Sequence, residues 1–146
     1  MTAMSDLAGR ITGKIHILPV RVYYEDTDAG GVVYHANYLK FCERGRSDCL
    51  RLLDIHHSKL TDALFVVRRM VCDFLKPARL DDLLAIETRF IAMAGARMEL
   101  EQQVKRHGEV LFTAAVTVAL IDGGGRPRRL PAGMAEQLKV LIESAP

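Results

Sequence analysis

Two hydrophobic periods run along this chain, and the switches between them mark its elements. Over residues 15–24 apolar and polar positions alternate. Val20, Val22 and Tyr24 fall on one side, Arg21, Tyr23 and Glu25 on the other, the period-two signature of a half-buried strand. Pro19 points to an edge position or a bulge there. From about residue 35 to 54 the spacing becomes helical. Tyr38, Phe41, Cys42, Gly45, Cys49, Leu52 and Leu53 share one face, and Lys40, Glu43, Arg44, Ser47, Asp48 and Arg51 the other. This predicts an amphipathic helix of roughly five turns. Gly45 sits on its buried side at a cost of about 1 kcal/mol against alanine, which predicts the close approach of a sheet. After a loop with a short helical turn (56–64), four strand-like runs follow, at about 64–77, 83–92, 97–106 and 110–121. In the third, Met98, Leu100, Gln102 and Val104 alternate with Glu99, Glu101, Gln103 and Lys105. His107-Gly108 reads as the hairpin turn into the fourth. Asp81-Asp82 and Ala94-Gly95 mark the other reversals, and residues 131–143 read as a C-terminal helix.

The order strand, long helix, four successive antiparallel strands, helix predicts an α+β fold with a meander rather than a parallel doubly wound sheet. The fourth run, Val110 to Ile121, is apolar on both faces. A strand of that kind is expected to be covered on both sides, the outer side by a second subunit. Residues 1–14 read as a loose arm and 15–146 as a single domain.

Composition narrows the function classes. The chain has 146 residues, 49% hydrophobic and 26% charged, with a formal charge of +2. That suits one globular domain and leaves no strongly basic face for nucleic acid. Tryptophan is absent and aromatics are 6%, too few for base-stacking platforms. No apolar run reaches the ~18 residues that span a bilayer. The first residues lack the apolar core of a signal peptide, so a cytoplasmic protein with no integral membrane segment is expected. Cys42, Cys49 and Cys72 are an odd set. Cys42 and Cys49 lie about two helical turns apart, too far to bridge. All three are expected to be reduced and packed.

The candidate chemistry lies where the first strand meets the long helix. Glu25, Asp26 and Asp28 are followed by Gly30, Gly31 and, at the expected helix start, His35. The run RVYYEDTDAGGVVYHANYLKF, continued by FVVRRMVCDFLKPARLDD, resembles the 4-hydroxybenzoyl-CoA thioesterase family, and within it the YbgC-like branch whose genes commonly accompany the Tol-Pal system. The resemblance extends from Val20 to about Pro131. It implies a hot-dog fold, in which a curved antiparallel sheet wraps one long central helix. It implies hydrolysis of an acyl-CoA thioester without metal or organic cofactor. It also implies a site at the interface of a homodimer, with dimers often pairing into a homotetramer. It places the catalytic carboxylate at Asp28, with His35 and Tyr24 as functional partners. Gly30, Gly31, Val32, Tyr34 and Arg97 are the implied substrate-binding residues, and an acyl carrier protein is a possible donor. Near Ala94–Arg97, where the enzyme that names the family has consecutive basic residues, this chain keeps only Arg97.

The residue chemistry agrees with that implication. An ordinary carboxylate titrates near 4 and is ionised at neutral pH. It can activate water, or attack a thioester carbonyl to give a mixed anhydride. A helix N-terminus offers free N–H groups and partial positive charge to the developing oxyanion. Glu25 and Asp26 read as solvated strand-end charges, and Asn37 as a residue able to orient a carboxylate. Arg97, Arg126, Arg128 and Arg129, with Arg68 and Arg69 behind them, are the candidates for the CoA phosphates. Phe65, Met70 and Tyr38 are candidates for the acyl pocket. His56-His57 lacks further ligands at a telling spacing and reads as solvated. There is no G-x-S-x-G motif. A thiol enzyme built from Cys42 or Cys49 with His35 is weaker than a packed-cysteine reading. The rival from another class is a non-catalytic binding partner for acyl carriers or envelope assembly.

Overall fold

The computed structural model describes residues 6–142. Residues 1–5 of the expected arm and Glu143 of the expected C-terminal helix lie outside the described residues. The elements are β1 (Arg10–Thr12), β2 (Ile15–Arg21), α1 (His35–Leu52), β3 (Leu64–Phe74), β4 (Leu83–Ala94), β5 (Arg97–Arg106), β6 (Glu109–Ile121) and α2 (Ala132–Lys139). The six strands form one antiparallel sheet in the order β1-β2-β4-β5-β6-β3. The sheet packs its apolar face on α1, the hot-dog arrangement expected above.

Two expectations are corrected. The segment read as a loose arm is held by pairing from Arg10 to Thr12 along β2, and the carbonyl of Ala8 is bonded to His16 Nε2 at 2.7 Å. The four later strands are not one meander. β4, β5 and β6 follow each other by hairpins, but β3 lies at the far edge beside β6. The β3–β4 connection therefore crosses the sheet end instead of reversing at Asp81-Asp82. The His107-Gly108 turn is as expected: φ is +50° at His107 and +80° at Gly108, a two-residue pair of positive φ suited to a right-twisted hairpin.

Helix α1 lies close on the sheet because Gly45 has no side chain. A Cβ there would meet Ile86 Cγ2 and Thr88 Oγ1 at 3.0 Å and Gln102 Nε2 at 3.3 Å. The gap so avoided lets buried Gln102 bridge the layers. Its Nε2 donates to Cys42 O and to Thr88 Oγ1, both at 2.9 Å, and its Oε1 accepts from Arg46 at 3.0 Å.

A bulge in β3 solves a patterning problem. Val67 pairs with the inward Val118, so strict alternation would turn Arg69 into the core. The register shift at Arg68 moves Arg69 opposite Thr117, on the outer face, while Met70 takes the inward position opposite Val116. β6 buries Phe112, Ala114, Val116, Val118 and Leu120. Its other face carries the small residues Thr113, Ala115, Thr117 and Ala119.

The β3–β4 connection, residues 75–82, backs the segment before α1. Val33 N–H donates to Ala78 O (2.8 Å), Val22 N–H to Asp82 O (2.9 Å) and Ala78 N–H to the Tyr38 hydroxyl (3.0 Å). Asp82 anchors it by accepting from Arg106 at 2.8 Å and from Arg79 N–H at 2.8 Å. Burial pushes the Asp82 carboxyl up, but the Arg106 guanidinium and the Arg79 amide outweigh it and hold Asp82 below its ordinary value. A depressed carboxyl contributes stability above its unfolded-state pKa of about 3.9, and that contribution is lost as pH falls through the folded value. Thermal unfolding of Asp82→Asn and wild type should therefore differ at pH 7 and converge as pH drops below about 4. A difference that does not change with pH would show that Asp82 carries no such charge.

Candidate active site

The loop between Asp26 and Tyr34 is a miniature hairpin. Thr27 and Val33 bridge, Asp28 N–H donates to Val32 O at 2.9 Å, and Gly31 N–H returns to Asp28 O at 3.1 Å. Asp28 heads this turn. Its Oδ1 accepts from Gly30 N–H at 2.8 Å and from Val32 N–H at 3.4 Å. This is the local side-chain to backbone bond by which aspartate starts turns. Gly31 closes it at φ +81°, a conformation in which a side chain is strained. A Cβ on Gly30 would stand 3.3 Å from Asp28 Oδ1, so the glycine leaves the carboxylate uncrowded. Asp28 is exposed.

The helix follows at once. Tyr34 is its N-cap and no side chain caps it. Asn37 N–H is taken by Tyr34 O at 2.8 Å. The first amides of α1, those of His35 and Ala36, are the orphan donors a ligand can use. The His35 ring lies 4.4 Å from that of Tyr34 and 6.3 Å from that of Phe74. A groove of about 290 Å³ runs beside it, lined by Val33, His35, Tyr38, Phe74, Leu75 and Pro77 among others. Tyr38 forms its wall, stacked on Phe112 at 5.0 Å.

The sequence-predicted residues divide. Asp28, Gly30, Gly31, Val32, Tyr34 and His35 lie within this one loop and helix start. Val32 bridges to Arg79 in the backing connection. Tyr24 does not end a strand as an inward residue. β2 stops at Arg21, Tyr24 opens a 3-10 helix (Tyr24–Asp26), and its side chain is 83% exposed. Arg97 stands apart. It begins β5, whose other end, Arg106, bonds Pro77 O in the connection that backs the loop, so the nine steps of β5, at most roughly 30 Å of strand, lie between Arg97 and Arg106. There it shares an outer groove of about 570 Å³ with Arg68 and Arg69. Arg128 is committed elsewhere, to the carbonyls of Thr61 and Asp62. Of the acyl-pocket candidates, Tyr38 lines the groove beside His35. Phe65 lines a separate cleft of about 170 Å³ with Glu43, Arg46 and His57. Met70 lines neither.

Asp26 corrects the expectation of a solvated charge: it is 5% exposed and accepts from Asn37 Nδ2 at 2.9 Å. The signal available in the sequence was Asn37 in the first turn of a helix, with no capping side chain before it.

The Thioesterase superfamily model matches residues 30–113. The chain belongs to the thioesterase superfamily. It is 48% identical to the acyl-CoA thioesterase YbgC of Haemophilus influenzae over 109 residues, 73% of this chain and 80% of that one. It is 44% identical to the acyl-CoA thioester hydrolase YbgC of Escherichia coli over 129 residues, 83% of this chain and 93% of that one. The crystal structure of a probable thioesterase from Bartonella henselae superposes with a TM-score of 0.78 at 46% identity, covering 80% of this chain and 99% of its own.

Within this thioesterase the cysteines are poor nucleophiles. Cys42 and Cys49 are fully buried, and burial pushes both thiols up to about 12. A thiolate is the reactive form. With a chromogenic disulfide near pH 8, at most the half-buried Cys72 should react quickly, and all three only after denaturation. Rapid reaction of all three in the native protein would reopen a thiol mechanism. No helix among the described residues is long and apolar enough to cross a membrane.

Proposed function

We propose that Asp28 and the first amides of α1 hydrolyse the thioester of an acyl-CoA. The observation that carries this is the direct succession, within one hydrogen-bonded loop, of an exposed carboxylate and an uncapped helix start. The thioester carbonyl oxygen is polarised by the His35 or Ala36 N–H. The Asp28 carboxylate either takes a proton from attacking water or itself adds to the carbonyl carbon. The tetrahedral oxyanion collapses, the C–S bond breaks, and CoA leaves as the thiolate. In the second route water then splits the mixed anhydride and restores the carboxylate. A single turnover in isotopically labelled water reveals the second route where water adds to the Asp28 side of the anhydride. Unlabelled oxygen from the enzyme enters the first acid released only by direct attack.

The acyl group runs into the groove lined by Tyr38 and Phe74. Arg97, with Arg68 and Arg69, suits the phosphates of CoA, and its place at the other end of β5 from Arg106 supports a reading in which this groove serves the site of a second copy. A homodimer or homotetramer is the assembly that follows, and the small-residue outer face of β6 suits such packing. Tyr24, turned to solvent in one chain, acts on ligand or on that second copy. An acyl carrier protein presents the same thioester on the same phosphopantetheine arm and is a further donor. The reduced cysteines and CoA substrate fit a cytoplasmic enzyme. The test is Asp28→Asn, assayed by release of free CoA thiol: turnover should collapse in a folded protein.

A further inference from the structure

Of the three carboxylates Glu25, Asp26 and Asp28, only Asp26 is buried. It has no part in the chemistry above, yet both its carboxylate oxygens and both its main-chain polar groups are hydrogen-bonded. Its Oδ2 accepts from Tyr23 N–H and its Oδ1 from Asn37 Nδ2, each at 2.9 Å. Its main chain doubles the link: Asp26 N–H donates to Tyr23 O and Tyr34 N–H donates to Asp26 O, again at 2.9 Å. One residue therefore joins the end of the strand segment, the cap of α1 and the third residue of α1. Asp28 lies two residues after it. His35 lies between Tyr34 and Asn37. The carboxylate and the amide that must meet one carbonyl thus hang from the two sides of a single buried clamp.

We infer that Asp26 and Asn37 are a positioning pair that sets the separation between Asp28 and the amide-bearing first turn of α1. The inference rests on the reading of Asp28 given above. Burying a carboxylate is costly unless its oxygens are bonded, so a residue of this kind is a demanding way merely to fill space. An aliphatic side chain would fill the volume but would leave the Tyr23 N–H and the Asn37 amide without partners. Charge-assisted bonds to both oxygens fix direction as well as distance. The buried anion also lies near the positive end of α1, where it is favourably placed. Thioester hydrolysis needs that fixity, because a misplacement of about 1 Å at a reacting centre can cost on the order of a hundredfold in rate.

The pair can be inverted to test it. Asp26→Asn alone can be absorbed, because its oxygen accepts from Tyr23 N–H and its NH2 donates to Asn37 Oδ1 once that amide turns over, so the single variant that breaks the clamp is Asn37→Asp. In Asn37→Asp two carboxylates confront each other. In the double variant the amide at position 26 still accepts from Tyr23 N–H and donates to the carboxylate at position 37, so the clamp is whole again with its charge moved. Asn37→Asp should lower kcat by at least roughly tenfold, as loss of alignment does, with KM little changed. The double variant should recover most of the loss. Folding is followed by thermal unfolding, and Asn37→Ala, which removes one donor and keeps the Tyr23 bond, stands in if Asn37→Asp does not fold; it too should lower kcat more than it raises KM. Asp28→Asn is run beside them. If it is inactive while the folded double variant stays as slow as Asn37→Asp, or while Asn37→Ala keeps full kcat, the positioning role is overturned. If Asp28→Asn retains turnover, the reading of Asp28 fails instead.

Discussion

Asp28→Asn should lower kcat for acyl-CoA hydrolysis by at least roughly a hundredfold, the lower end of what positioned proton transfer contributes. That factor corresponds to about 2.7 kcal/mol of barrier. The substitution isolates charge. The new side-chain oxygen can still accept from Gly30 N–H, the contact that closes the loop at 2.8 Å. Asp28 is exposed, so no buried group loses a partner and the unfolding temperature should stay close to wild type. KM should change little, because the first amides of α1, the proposed donors to the carbonyl, are untouched. The measurement is steady-state release of CoA thiol across several acyl-CoA thioesters, with thermal unfolding and oligomeric state in parallel. Full turnover by a folded Asp28→Asn protein would remove Asp28 from the mechanism and return attention to the exposed His35.

Much of this scaffold follows from local pattern, and its exceptions have identifiable causes. β5 occupies the residues that its alternation predicts, with Met98, Leu100, Gln102 and Val104 buried. α1 begins at His35 as its spacing predicts, and the glycine on its buried side does face a close sheet. Strand order was not legible. Whether β3 pairs with β4 or β6 depends on contacts between residues distant in sequence, such as Phe74 with Phe112. The end of β2 was overrun because Tyr23 and Tyr24 continue the alternation, while a side-chain acceptor three residues on, Asp26, turns the backbone into a 3-10 helix. The bulge at Arg68 left a trace that could have been read: consecutive arginines in an apolar strand cannot both keep to strict alternation without burying one. Within the site, the turn headed by Asp28 was legible because its bonds are local. The remoteness of Arg97 was not, since it is set by the length of a whole strand.

Gly45→Val should destabilise the protein by about 3 kcal/mol, the upper end of the overpacking range. Spread over a chain of this size, that is a fall in Tm of roughly 10 °C. The argument is steric and turns on which atoms would have to move. A Cβ at position 45 meets Ile86 Cγ2 and Thr88 Oγ1 at 3.0 Å. Both belong to β-branched residues of a central strand, whose rotamers are stiff, and neither is the free end of a flexible chain. The two further methyl groups of valine leave α1 the choice of lifting from the sheet or displacing Gln102. Displacement would take from Arg46 and Thr88 the bonds that Gln102 makes at 3.0 and 2.9 Å. Gly45→Ala is the internal comparison. It gains about 1 kcal/mol of helix propensity against a smaller clash, so its Tm should fall far less than that of the valine variant. If the valine variant melted with wild type, the helix could not be resting on the sheet at this point, and the placement of the amide-bearing end of α1 against Asp28 would lose its foundation.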